Sequence, residues 1–330
     1  MRKRALVVGT GSIGLRHLRL LREKEDLSVE VCDARPEGLA EAAEIAPEVL
    51  QWSDFQEAVA ESPQIVVIAT PPTSHATLAC AALEAGAHVF CEKPISDSGK
   101  GARSMIAAQL QSGRLLNVGF VQRFMPEMLY AKKLIDDGVI GRVCFARFEV
   151  GSYETLSLSR SRHQKTLFGS AALDYVYGFD TSFWILGERP ESVYAHGVLV
   201  PGFSLESNPN LLSAVIQYPS ARLAELHIDY VAHPGRCSYT FQGELGYLHV
   251  DLVRNTVEHG DRESGKPSEQ TFTPDRLDVM RDQRDHFLEA LDGRHPVSTS
   301  AEEGLESILG VEALIRSLKS AKPEAVEALK

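Results

Sequence analysis

What this 330-residue chain lacks narrows the reading before any motif is considered. Its five cysteines (Cys32, Cys80, Cys91, Cys144 and Cys237) are odd in number and widely spaced, with no C-x-x-C pair and no histidine cluster. That excludes a disulfide framework and a zinc-ligand set, so no metal is assigned and the thiols read as buried groups in a reducing cytoplasm. No apolar run approaches the ~18–20 residues needed to cross a bilayer; Ile65-Val66-Val67-Ile68-Ala69 is typical of the longest. The chain passes from Arg2-Lys3-Arg4 straight into a strand-like run, so neither a signal peptide nor a membrane span is expected. Basic charge is not in excess either: 45 acidic side chains outnumber 34 basic ones, for a net charge of −11. A phosphate-backbone surface is not implied, and nucleic acid is not an expected partner. There is no internal repeat, and the one long polar stretch, Asp261 to Gln270, reads as a solvated loop.

What is present is the composition of an ordinary globular protein, 44% apolar and 24% charged. The length suits two domains of ~100–200 residues each. Up to about residue 120, β-rich runs (Ala5 to Gly9, Ser28 to Asp33, Gln64 to Thr70, His88 to Cys91, Leu115 to Phe120) alternate with stretches of helical periodicity. This rhythm predicts parallel βαβ units, an α/β domain with a doubly wound sheet over residues 1–122. After a helix from Pro126 to Asp136 the rhythm changes, and strands follow one another without intervening helices from Glu191 to Asp251. Residues 123–330 are therefore expected to form an α+β domain with a large open, mostly antiparallel sheet, ending on helices from Asp275 to Leu291 and Ala301 to Leu318. Within it, Gly169 to Gly187 ("GSAALDYVYGFDTSFWILG") reads as one buried helix carrying two aspartates.

Gly9-Thr10-Gly11-Ser12-Ile13-Gly14 is a G-x-G-x-x-G between the first strand and the first helix. Gly9 makes the tight turn, Gly11 admits a pyrophosphate close to the backbone, Gly14 lets helix and strand pack, and the helix N-terminus faces the phosphates. Asp33 ends the second strand, where a carboxylate accepts both adenosine ribose hydroxyls and repels a 2′-phosphate, so NAD is favoured. Arg35, two residues on, has three readings: adenine stacking, pairing with a 2′-phosphate, which keeps NADP open, or a solvated loop side chain.

Three further segments follow strands: Ala69-Thr70-Pro71-Pro72-Thr73-Ser74-His75, Glu92-Lys93-Pro94 and Gly119-Phe120-Val121-Gln122-Arg123-Phe124. Each lies at the carboxyl end of its strand, where an open α/β sheet binds its ligand. Together with the glycine motif and Asp33, they make the chain resemble the Gfo/Idh/MocA oxidoreductases over nearly its whole length. The resemblance implies a nicotinamide dinucleotide held by the glycine turn, Asp33, Thr70, Pro71, His75, Glu92 and Lys93, and a sugar-like substrate facing the second domain. It implies a homodimer or homotetramer as well. Lys93 matches the family lysine beside the nicotinamide, where an ammonium stabilises a developing alkoxide and carries its proton. His75 has the profile of a structural residue at a helix start more than of a proton donor, and Glu92 of one that fixes the motif loop.

In the family an Asp in the second-domain helix is followed three or four residues later by His. Here Asp174 is present, but Tyr177 and Gly178 occupy those positions. At ~100° per residue both lie on the face of Asp174. A tyrosine carries a proton when a cation lowers its pKa, so Tyr177 is the substitute catalyst, with core packing or substrate stacking as its other reading. Asp174 then orients the substrate hydroxyl and supports Lys93, while Asp180, ~120° round the helix, reads as a buried partner. Gly178 suggests close approach by a ligand or another backbone. Arg123 and His163 complete the substrate candidates; His163 lies in the basic run Ser157 to Lys165, which suits an anionic substrate or a solvated loop equally. The expected function is a dehydrogenase of secondary hydroxyls on a sugar, sugar acid, sugar nucleotide or cyclitol. The absent histidine leaves open a dinucleotide- and sugar-binding regulator without catalysis.

Overall fold

Ile65 to Ile68 is apolar at every position and buried at every position, the pattern of a central parallel strand covered on both faces. In the computed structural model, which describes residues 2–153, 167–203 and 207–329, this strand is the fourth of a six-stranded parallel sheet. The strands are β1 (Lys3–Val8), β2 (Leu27–Cys32), β3 (Leu50–Trp52), β4 (Ile65–Ile68), β5 (His88–Glu92) and β6 (Leu116–Gly119), in the spatial order β3-β2-β1-β4-β5-β6. They are connected by α1 (Ser12–Arg22), α2 (Pro36–Ile45), α3 (Phe55–Ala60), α4 (Pro72–Glu84) and α5 (Gly99–Ser112). This is the expected doubly wound sheet, with its order reversing between β1 and β4, where such sheets bind ligands. Strand β3, three residues long, is too short to stand out by periodicity.

The chain divides into two units, and the first takes Asp275–Leu305 in addition to Met1–Val121, where the sequence suggested two continuous segments. The returning helix is α9 (Arg276–Leu291). Its Phe287 joins the core formed by Leu18, Leu21 and Phe90, with the two phenyl rings edge to face at 5.5 Å. Buried Arg284 donates to the Leu20 carbonyl at the end of α1 and pairs with Glu23 at 2.7 Å. Orphan carbonyls at a helix C-terminus favour such a cation.

The second unit, Gln122–Pro274 with Glu306–Lys330, starts with α6 (Pro126–Asp136) and is built on nine strands. These are β7 (Val143–Gly151), β8 (Ser192–Val198), β9 (Leu211–Gln217), β10 (Leu223–Asp229), β11 (Arg236–Gly243), β12 (Gly246–Asp251), β13 (Thr256–Asp261), β14 (Pro267–Thr271) and β15 (Glu324–Ala325). Their order is β14-β13-β12-β11-β7-β10-β9-β8-β15, antiparallel throughout except for β7 beside β10. Burial alternates along β9, β10 and β12, so one face of the sheet is covered and the other open, as the sequence led us to expect. The Asp261–Gln270 stretch is not simply a loop: Pro267–Thr271 pairs with β13 as an exposed edge strand whose polar side chains carry no alternation. Helix α10 (Ala301–Ser320) follows a reciprocal cap in which the Ser300 amide donates to Glu303 and the Glu303 amide to Ser300 Oγ. Among the described residues no helix is long and apolar enough to cross a membrane.

Candidate functional site

In the first unit the glycine turn is shaped by the protein's own backbone at two of its three glycines. Gly9 has φ +91°, and a Cβ there would lie 2.8 Å from the Ala69 carbonyl oxygen; a Cβ at Gly14 would lie 1.7 Å from the Gly9 carbonyl oxygen. A Cβ at Gly11, by contrast, would meet nothing within 4 Å, so packing does not require that glycine. A glycine there leaves the backbone open to close approach. Gly11 caps α1 without a side-chain hydrogen bond, leaving the first amides of the helix, from the exposed Ser12 and Ile13, open to an anion.

Asp33 is buried beneath this turn. Its Oδ2 accepts from the Thr10 amide at 2.8 Å and from Thr10 Oγ1 at 2.7 Å, and its Oδ1 accepts from the Arg35 amide at 2.9 Å. Burial works to raise its pKa, but the bonds from Arg35 and Thr10 outweigh that and hold it below the usual carboxylate range. Arg35 closes on the same carboxylate through Nε at 3.1 Å and Nη2 at 2.9 Å while its side chain stays half exposed. Of the three readings of Arg35 none named this pairing, which a separation of two residues made available. The carboxylate is ionised, and the position fits an adenine dinucleotide once the exposed Arg35 side chain yields its place to a ribose.

At the ends of β4 and β5, Thr70 and Pro71 lead into α4, with Thr70 Oγ1 2.7 Å from Ser74 Oγ. His75, expected beside the cofactor, is 1% exposed and turned inward: Nε2 lies 2.8 Å from the Thr70 carbonyl and Nδ1 2.9 Å from that of Pro94. Burial lowers its pKa against the pull of those carbonyls. It ties two loops together and offers a ligand no free ring nitrogen. Half-buried Lys93 lies between Glu92 and Pro94, and its amide donates to Glu92 Oε2 at 3.3 Å. The other oxygen, Oε1, is 2.8 Å from Nε2 of His17, a buried residue of α1 that the sequence reading did not single out. Its position three residues after Gly14, on the apolar face of α1, was the available signal.

In the second unit the expected single helix is two. Helix α7 (Ser170–Asp174) stops at Tyr175, whose φ −103° and ψ 35° leave the helical region, and α8 (Tyr177–Leu186) restarts from Val176. The 100° rule therefore does not relate Asp174 to Tyr177 or to Asp180. Burial singles the two out, because from Gly169 to Ser182 every residue is buried except Asp174 and Tyr177. Asp174 Oδ2 accepts a 2.5 Å hydrogen bond from the hydroxyl of Tyr230, a fully buried residue just past β10 whose ring lies 5.7 Å from that of Tyr175. Burial, with the Asp174 charge added, pushes the Tyr230 pKa well above the ordinary phenol range, so it remains a donor. Sequence reasoning missed Tyr230; it shares the inward face of Leu226 and Ile228, but a pairing across 56 residues has no local signature.

Two other expectations change. A Cβ at Gly178 would lie 2.5 Å from Leu226 Cδ1, so this glycine makes room for a core side chain of β10, not for a ligand or another backbone. Arg123, expected to hold substrate, is 6% exposed and forks onto Asp180 with Nε–Oδ2 at 3.2 Å and Nη2–Oδ1 at 2.6 Å, its guanidinium 5.7 Å from the Trp184 ring centre. This is a core ion pair, and Asp180 is its buried acceptor. His163, with the basic run around it, lies outside the described residues. Among the described residues there is no group of three or more His, Cys, Asp or Glu side chains arranged to hold a metal.

Comparison with known proteins agrees with this geometry. The model of the oxidoreductase family with an NAD-binding Rossmann fold matches residues 3–120, and that of the GFO/IDH/MocA C-terminal domain matches residues 128–249. A 2,7-anhydro-N-acetylneuraminate hydratase of Mediterraneibacter gnavus is 28% identical over 74% of this chain and 66% of its own length. An inositol 2-dehydrogenase of Rubrobacter xylanophilus is 27% identical over 98% of this chain and 93% of its own. The structure of levoglucosan dehydrogenase in complex with NADH and levoglucosan has the same fold, with a TM-score of 0.88 over 99% of this chain and all of that one at 20% identity. With both domain models matched in order along one chain, and a turn, a carboxylate and helix amides that fit the dinucleotide, the protein belongs to the Gfo/Idh/MocA family of NAD-binding oxidoreductases.

Proposed function

We propose that this protein is an NAD(H)-dependent dehydrogenase of a secondary hydroxyl, or the matching ketone, on a sugar, sugar acid, sugar nucleotide or cyclitol. The observation that carries the reading is the pair Asp174 and Tyr177, the two residues left accessible in an otherwise buried run, with Asp174 held by a buried phenol. The relatives named inositol 2-dehydrogenase and levoglucosan dehydrogenase support the substrate class.

When bound, the nicotinamide supplies the hydride acceptor or donor. Asp174 orients the substrate hydroxyl, while Tyr230 holds the carboxylate from behind. Lys93 in its amine form takes the proton that the hydroxyl loses, and the ammonium so formed donates to the same oxygen as it becomes a carbonyl. Tyr177 replaces the family histidine as the second proton carrier. Exposed Tyr194, Val198, Val215 and Leu223 on one face of the nine-stranded sheet support a homodimer or homotetramer. A cytoplasmic location completes the reading, supported by scattered cysteines that form no disulfide.

One observation favours the non-catalytic regulator: a histidine four residues after Asp174, at Gly178, would require the Leu226 side chain to shift. A panel of sugars, uronates, sugar nucleotides and inositols, assayed with NAD by NADH absorbance, separates the two. Turnover that falls by about 10²-fold or more in Lys93→Ala and in Tyr177→Phe is the expected result. Tight NADH binding without turnover of any member would leave the regulator in its place.

A further inference from the structure

Burying an imidazole and a carboxylate on the packed side of a helix is unfavourable unless each is partnered. His17 and Glu92 are so placed, 5% exposed and half-buried, with 2.8 Å between Nε2 and Oε1. The surroundings fix both groups. Phe90 stands edge-on to the His17 ring at 5.2 Å and is itself backed by Phe287 at 5.5 Å. On β6, Gly119 lies opposite Glu92 in register, and a Cβ there would come within 3.2 Å of both the Cα and the carboxyl carbon of Glu92. The sheet thus keeps open the space the Glu92 side chain occupies. The second carboxylate oxygen turns back to the Lys93 amide at 3.3 Å. On the far side of Lys93 the Pro94 carbonyl meets His75 at 2.9 Å, so the residues on either side of the lysine are each held by a buried histidine.

We infer that His17 is a positioning residue for Lys93, acting through Glu92, and that it ties the place of the proton-carrying lysine to the helix whose N-terminus receives the dinucleotide. The inference rests on the reading of Lys93 given above. The other titratable groups influenced by the Glu92 charge are His75 and Cys91; burial lowers the first and raises the second, so both are neutral near pH 7. Among the described residues, His17 Nε2 and the Lys93 amide are the groups seen within hydrogen-bond distance of the Glu92 carboxylate. His17 reaches no reacting atom. Its effect is geometric, and displacements of about 1 Å are enough to lower turnover by ~100-fold.

The test compares His17→Leu, which keeps volume without a donor, with His17→Gln, which keeps a donor, and Glu92→Gln, which keeps shape without charge. NADH affinity is measured by fluorescence titration, turnover on whichever substrate the panel yields, and the reactivity of Lys93 Nζ by competitive amine labelling against pH in the NADH-bound protein. His17→Leu is expected to hold NADH within about threefold of the parent and to lose about tenfold or more in kcat with little change in KM. Its Lys93 labelling profile is displaced, and His17→Gln recovers most of both losses. If His17→Leu fails to fold, displacement in Glu92→Gln with a near-parent profile in His17→Gln carries the same result. A Lys93 profile identical to the parent in all three variants overturns the inference, and so does a His17→Gln as impaired as His17→Leu. Displaced labelling in a protein that turns over no substrate would sink the dehydrogenase reading and leave the positioning intact; robust turnover with undisturbed labelling does the reverse.

Discussion

The two units reach their candidate residues by different routes. In the first, the glycine turn, Asp33, Thr70 and Lys93 each follow the carboxyl end of a parallel strand, and short-range backbone geometry dictates the residue type, as with Gly9 and Gly14 against neighbouring carbonyls. In the second, Asp174 and Tyr177 flank a break between two helices, and what holds Asp174 is a tyrosine 56 residues away. A site written into a local turn is readable and intolerant of change at single positions. One assembled from distant packing is readable only in part, and its failures spread through the core.

The sharpest way to break this contrast lies in the glycine turn. Gly14→Ala forces a Cβ into the Gly9 carbonyl, and we expect NADH affinity to fall by about 100-fold or more together with a lowered thermal midpoint. Gly11→Ala, where a Cβ meets no protein atom, should leave the thermal midpoint of the NADH-free protein near the parent while still weakening NADH. Isothermal titration beside differential scanning fluorimetry separates the two. Equal loss of stability in both would mean that Gly11 is kept for packing after all.

In the second unit the largest effect is expected away from substrate. Arg123→Ala leaves Asp180 as a buried charge without its fork, a change that typically destabilises by ~3–5 kcal/mol. Urea denaturation checks it, and NADH affinity, set in the other unit, should stay within about twofold of the parent. A variant that remains stable but loses substrate affinity would return Arg123 to the substrate role first expected of it. Next comes Tyr230→Phe, which removes one hydrogen bond to Asp174 and almost no volume. It should lower kcat by about tenfold with NADH binding unchanged, since a hydrogen bond to a charged group contributes roughly 1.5–3 kcal/mol. Unaltered kinetics would detach Asp174 from the reaction.

How far the sequence could be read follows the same line. The doubly wound sheet, the open antiparallel sheet and the Gly9–Asp33 constellation all rest on periodicities and spacings shorter than about thirty residues. The break at Tyr175 was hidden because Ala171, Ala172, Leu173 and Val176 are apolar around the full turn, and a helix buried on all sides shows no interruption in its pattern. Arg123 was misread for a related reason. It follows β6 at the end where ligands bind, and nothing near it in sequence announces an acceptor at Asp180. His17, Tyr230 and the return of α9 to the first unit share that long reach.

The return of α9 supplies the smallest effect and a direct probe of it. Glu23, at the end of α1, accepts from Arg281 and Arg284 of α9, and those bonds lower its pKa from 4.5 to about 2. A carboxylate depressed in the folded state adds stability that is fully present above its unfolded value, and this is lost as the pH falls through the folded one. The Glu23–Arg pairs should therefore stabilise the first unit above pH 4.5 and progressively less between 4.5 and about 2. Glu23 is largely open to solvent, so screening limits the contribution to under ~1 kcal/mol. The measurement is the thermal midpoint of the parent and of Glu23→Gln across that range. A small gap that closes with acid places α9 against the end of α1 in solution, whereas a gap independent of pH would assign the loss to packing and leave the ion pairs without weight.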